Sequence, residues 1–251
     1  MHQERNLFAE SFGSLYALRW LVLAHVIVNC ILTVVDTWLE DTWYFIYLYA
    51  PFGAVFCFFM LSRILKAANP QRTLKQFVTV SIWYLLVFFV LALGGAELVV
   101  YLFETASDAT KEQDSFVAGS FLFTLVCLFV PPYLLGTILP AKLLQKSDSI
   151  RAALKRALRQ AGYLLPRYAG ISVPFSLVSA ILYVALQAGG PELQPVTSTG
   201  EVHAFGFLLM VISTLISIAG EAILMVTIAR AYLKDLRELG DISQLDVEVF
   251  A

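Results

Sequence analysis

Charge is scarce in this chain: Asp, Glu, Lys and Arg together make up 14% of its 251 residues, against roughly a quarter in an ordinary soluble domain. Histidine and cysteine are scarcer still, with three of each. Cys30, Cys57 and Cys127 stand singly in apolar surroundings, so neither a disulfide framework nor a metal cluster is supported. HExxH, GxSxG, CxxC and the phosphate-cradling glycine loop are all absent. Those absences remove the common signatures of metalloprotease, serine hydrolase and nucleotide-hydrolysing chemistry. No cofactor, no metal and no catalytic residue is assigned, and a non-enzymatic protein is expected. With a net charge of -2 and no strongly basic domain, no nucleic-acid partner is expected.

What fills the chain is apolar. Hydrophobic residues make up 59%, and the mean hydropathy is +0.76, values of an integral membrane protein. A span needs about 20 mostly apolar residues, because a helix rises about 1.5 Å per residue and the hydrocarbon core is about 30 Å thick. Six runs qualify, near Leu15–Val35, Trp43–Leu65, Phe77–Phe103, Phe116–Leu139, Tyr163–Leu186 and Phe205–Leu233. The first is too long for a signal-peptide core, carries Arg19 and His25, and is followed by the acidic "DTWLEDTW" without a small-x-small cleavage site. It is expected to remain in the mature chain.

The few basic residues are segregated. Arg5, Arg63, Lys66, Arg72, Lys75, Lys142, Lys146, Arg151, Lys155, Arg156, Arg159, Arg167, Arg230, Lys234 and Arg237 fall on one side of the six runs; Lys111 alone falls on the other. Lys and Arg are retained in the cytoplasm, so both termini are expected there. The fold class predicted is all-α: a polytopic protein of the bacterial inner membrane with six transmembrane helices. Residues 1–14 form an N-terminal cytoplasmic tail, 15–233 the membrane domain and 234–251 a C-terminal cytoplasmic tail. Trp38, Trp43, Tyr44 and Tyr47 suit an aromatic belt at the outer interface.

Between the fourth and fifth runs lies "KSDSIRAALKRALRQAG", which has the pattern of a short amphipathic cytoplasmic helix. Asp148 or Ser149 can cap its start and Gly162 can end it. Ile150, Leu154, Leu158 and Ala161 share one face by their spacing, and Arg151, Lys155, Arg156 and Arg159 take the other. The apolar face is expected in the headgroup boundary or against neighbouring spans, with those four bases on anionic lipid headgroups. A calmodulin-type or nucleic-acid reading of the same pattern ranks below this one.

Proline concentrates in the fourth and fifth runs. Pro131-Pro132 interrupts "LVCLFVPPYLLGTILPA", Pro140 closes it, and Pro166 and Pro174 punctuate "GYLLPRYAGISVPFSLVSAIL", so kinks or breaks are expected. The order of a proline-broken fourth run, "LPAKLLQKSDSIRAALKRALRQAGYLLPRYAG" and the fifth run resembles the YciC-like six-span bacterial inner-membrane proteins. These are related to the membrane domain fused to some glycerophosphodiester phosphodiesterases. In that group an "ALKRS"-like helix precedes the fifth span; here Ala152 to Leu158 matches it, with Arg159 where serine is usual. The resemblance covers about a third of the chain. It implies a helical membrane domain with a role in envelope or membrane-lipid organisation. The catalytic domain of the fused relatives has no counterpart, so no catalytic residue is carried over.

Four ionisable residues fall at membrane depth: Arg19 and His25 in the first run, Glu97 in "LALGGAELVV" and Glu221 in "SIAGEAILMV". A charge at mid-helix costs about 2.5–3.5 kcal/mol or more and faces the bundle interior or a wet cavity. Arg19 and Glu221 lie at similar depth and are expected to pair. Structural ties between helices rank above a transport or proton-relay role for these residues. The function expected is membrane organisation, envelope or lipid homeostasis, or protein interaction, with the lipid bilayer, its anionic headgroups and other membrane proteins as partners. The alternative is a small secondary transporter or ion-coupled permease that uses Glu97 and Glu221.

Overall fold

The computed structural model describes residues 6–39, 43–65, 73–82, 130, 133–144, 149–175, 177–178, 182, 195–196 and 201–240. Among them the backbone is helical and forms no strand; an antiparallel bridge joins Val196 to Val202. In chain order the helices are α1 (Leu7–Ala17), α2 (Arg19–Leu39), α3 (Trp43–Ile64), α4 (Ile138–Leu143), α5 (Ile150–Arg159), α6 (Ala161–Arg167) and α7 (Ala204–Glu238). Residues 74–82 are also helical.

The packing is organised around α7. Its 35 residues carry no proline, so at about 1.5 Å per residue it runs about 52 Å without a break. The His203 amide donates to the Pro195 carbonyl at 3.0 Å before the helix starts. Gly240 ends it at φ 74°, its amide donating to the Arg237 carbonyl at 3.0 Å; glycine enters this left-handed conformation without a Cβ penalty. Among the described residues α7 is the one helix long and apolar enough to cross a membrane, and the bent pair α1–α2 makes a second if counted as one span. Six were expected. Helix α3 reproduces the second predicted run to within a residue at its end. Most of the third and fourth runs, and a third of the fifth, lie outside the described residues.

The first run departs from expectation. Instead of a straight span from Leu15, the chain bends by 79° between α1 and Arg19–Leu32. The Leu18 amide is shared by the carbonyls of Ser14 and Leu15, and the Leu18 carbonyl accepts from Leu21 and Val22, so one ladder ends and the next begins there. No proline or glycine sits at the bend. Its cause is tertiary: Leu7, Ser11 and Ser14 are the buried residues of α1, and Leu7 joins the core cluster of α3, α4 and α7. The segment 7–14, expected as part of a tail, is therefore helix. Asn6 starts it by accepting the Phe8 amide at 3.0 Å.

Helices α2 and α7 run antiparallel. Asn29 donates to Thr214 at 2.6 Å, and further along Glu10 of α1 meets Arg230. The described parts of the two termini thus share one end of the bundle. Along α7 the environment changes: Phe205, Leu208, Ile212 and Leu215 are exposed on its first half, whereas nearly every side chain from Ile218 to Leu236 is at least partly covered. Small buried residues, Ala219, Gly220, Ala222, Ala229 and Ala231, let neighbouring helices approach there.

Two terminators behave differently from their predicted roles. Pro140 does not close the fourth run, because it sits in the first turn of α4, where its missing amide has no helical partner to lose. Gly162 does not end α5; that helix stops at Arg159, with the Gln160 amide donating to Arg156, and Gly162 lies inside α6. Pro166 does disturb its helix: the chain widens into a π-helical turn over Tyr168–Ser172 directly after it.

Candidate functional site

The helix α5 presents three faces. Ser149 caps it by accepting the Ala152 amide at 3.2 Å, one of the two caps expected. At about 100° per residue, Ala153, Arg156, Ala157 and Gln160 form one stripe, and these four are buried. Ile150, Leu154 and Leu158 form a second stripe, of which Ile150 is 62% and Leu158 71% exposed. Arg151 and Lys155 form a third and are exposed. The expected apolar face is therefore present, but a different one docks. Two alanines leave room for close approach to α7, and the Arg156 guanidinium lies over an aromatic ring there.

Arg156 corrects the prediction that it meets lipid headgroups. It is 5% exposed, with its guanidinium 4.9 Å from the centroid of the buried Tyr232 ring. A cation over a desolvated ring contributes about 2 kcal/mol. Arg159 stays exposed but is tied to a buried acid: its Nε and Nη2 donate to the two oxygens of Asp235, each at 2.8 Å. The hydrogen bond to Asp235 is the largest influence holding the Arg159 guanidinium above its ordinary pKa. Gln160 adds a hydrogen bond to Glu238. Beside them the guanidinium of Arg167 lies 3.9 Å over the Tyr163 ring. Of the four bases predicted at the headgroups, Arg156 is buried, while Arg151, Lys155 and the Asp235-bound Arg159 remain exposed.

The residues predicted at membrane depth are dispersed. His25 is buried, as expected, edge-on to Phe52 and Phe56 at centroid distances of 5.2 and 5.4 Å. Arg19 is not buried and does not pair with Glu221. It is the first residue of α2, exposed at the bend, with its guanidinium 5.4 Å from the Tyr16 ring and 6.0 Å from the Trp20 ring. The elbow brings Arg19 to a helix start instead of one turn inside a span, which removes the need for a buried counter-charge. Glu221 is partly buried on α7. Glu97 lies outside the described residues.

Two contacts escape the sequence reading. Arg230 Nε donates to Glu10 at 2.9 Å across 220 residues. Asn29 ties α2 to Thr214, whose hydroxyl in turn donates to the Met210 carbonyl at 2.9 Å. A search confined to ionisable groups passes over Asn29; an amide inside an apolar run is the signal that finds it. No group of His, Cys, Asp and Glu able to hold a metal occurs among the described residues. Comparison with protein-family models, with curated proteins and with solved structures finds no match to this chain.

Proposed function

We propose that this chain is a six-span inner-membrane protein of the YciC-like type, without catalysis, that organises lipid at the cytoplasmic face through α5. One observation carries the reading: α5 is fixed to α7 by a third face of its own, which leaves an apolar stripe and a basic stripe side by side and exposed. That is the arrangement of a helix lying in a membrane interface, with Ile150 and Leu158 toward acyl chains and Arg151 and Lys155 toward anionic headgroups.

The length of α7 supports it. About 52 Å of helix exceeds the roughly 30 Å hydrocarbon core, and the excess falls on the C-terminal turns that hold Arg230, Lys234, Asp235, Arg237 and Glu238. Helices α1, α5 and α6 pack on those turns. The same end gathers the described residues of both termini and the basic residues of α5 to α7, as a cytoplasmic face does.

The test is thermal unfolding of the protein in nanodiscs of phosphatidylglycerol and of phosphatidylcholine. Phosphatidylglycerol is expected to raise Tm for the wild type, and the gain is expected to be smaller in Arg151→Gln/Lys155→Gln. Equal Tm values in the two lipids contradict the proposal.

A further inference from the structure

We infer that the elbow between α1 and α2 binds one anionic phospholipid, with an acyl chain in the groove beside it and the phosphate on Arg19. The inference rests on the membrane reading above, but its residues belong to α1, α2 and α3 and none to α5.

The groove has a volume of about 400 Å³ and is lined by Ala17, Leu18, Trp20, Leu21, Ala24 and Phe59. Nearly all of that surface is carbon. Ala17 and Ala24 leave the hollow, and Trp20 and Phe59 wall it while being 73% and 38% exposed. Such a surface accepts a hydrocarbon chain and offers nothing to hold a polar ligand's body.

Arg19 does not line the groove but stands beside one wall of it. The Arg19 guanidinium stands 6.0 Å from the ring of Trp20, which is itself a wall of the groove. The Tyr16 and Trp20 rings hold the cation in place without neutralising it. No acid pairs with Arg19 among the described residues; Glu10, the acid of α1, is engaged by Arg230. The positive end of the α2 dipole falls at the same point, because Arg19 is its first residue. A planar guanidinium matches a phosphate through paired N–H donors.

The level is that of a headgroup. Phe8, Phe12, Tyr16 and Trp20 are all exposed and follow at four-residue spacing through the bend, an aromatic row of the kind that settles at a membrane–water boundary. A cation beside a carbon-lined groove at that boundary is complementary to one ligand class, a phospholipid with negative charge. A second copy of the chain, the other occupant of such a face, would bring a second Arg19 to a symmetric contact.

Native mass spectrometry of the full chain, released from detergent with phosphatidylglycerol or phosphatidylcholine of identical chains, tests this. One phosphatidylglycerol is expected to be retained in preference to phosphatidylcholine. Arg19→Gln is expected to lower that preference about fivefold, the weight of one interfacial cation, and Arg19→Lys to keep most of it. Ala24→Phe, which fills the groove, is expected to lower retention of both lipids. Retained preference in Arg19→Gln, or a lipid-free dimer that Trp20→Ala dissociates, would overturn the site. The double variant Arg151→Gln/Lys155→Gln separates the two proposals: if it abolishes the preference while Arg19→Gln is silent, α5 stands and the elbow falls, and the reverse result does the opposite.

Discussion

Arg159 and Asp235 form an ion pair whose two members sit in unlike surroundings: the carboxylate side chain is 1% exposed, the guanidinium side chain 44%. The pair fastens α5 to the last turns of α7, and the asymmetry of burial sets what each partner's removal does.

Arg159→Leu leaves a buried carboxylate without its donor, which costs about 2–3 kcal/mol once the access of water at the exposed arginine side is allowed for. Asp235→Asn keeps an acceptor and leaves an arginine that water reaches, so it costs about 1 kcal/mol or less. Denaturant unfolding in detergent of the two variants measures the difference. Equal losses would mean that the pair is not held as described.

Arg19 and Glu221 are expected to be independent. Arg19→Leu removes an exposed side chain and changes stability by no more than about 0.5 kcal/mol. In a double-mutant cycle with Glu221→Leu, the coupling should fall within about 0.5 kcal/mol of zero. A coupling of several kcal/mol would restore the pair that the straight first span predicts.

Asn29→Leu removes the hydrogen bond to Thr214 and should cost about 0.5–1.5 kcal/mol, the usual range for such ties between helices in a membrane. Thr214→Val should cost a similar amount, and the double variant less than the sum of the two singles. Additive losses would show that the two side chains do not meet.

Local signals in the sequence were good guides where local physics decides. The Ser149 cap and the near-complete agreement of α3 with its apolar run follow from capping and hydropathy. The elbow at Leu18 is of another kind. No proline or glycine marks it, and it forms where α1 docks on a helix some 220 positions away through Glu10 and Arg230. The docking face of α5 shows the same limit: the helical wheel displays three stripes, but which one meets α7 depends on the fit of Ala153, Arg156 and Ala157 around Tyr232. The site residues moved for these two reasons. Arg19 left the interior with the elbow, and Arg156 entered it with the docking.

Cysteine accessibility along α5 tests the interfacial helix most directly. Single cysteines at positions 150, 151, 155 and 158, in a background with Cys30, Cys57 and Cys127 replaced, are exposed to a membrane-impermeant maleimide in inside-out and right-side-out vesicles. Positions 151 and 155 should label in inside-out vesicles only, and 150 and 158 should label only after detergent is added. Equal labelling of all four in inside-out vesicles, or labelling of any in right-side-out vesicles, would contradict a helix lying in the cytoplasmic interface with its apolar stripe in lipid.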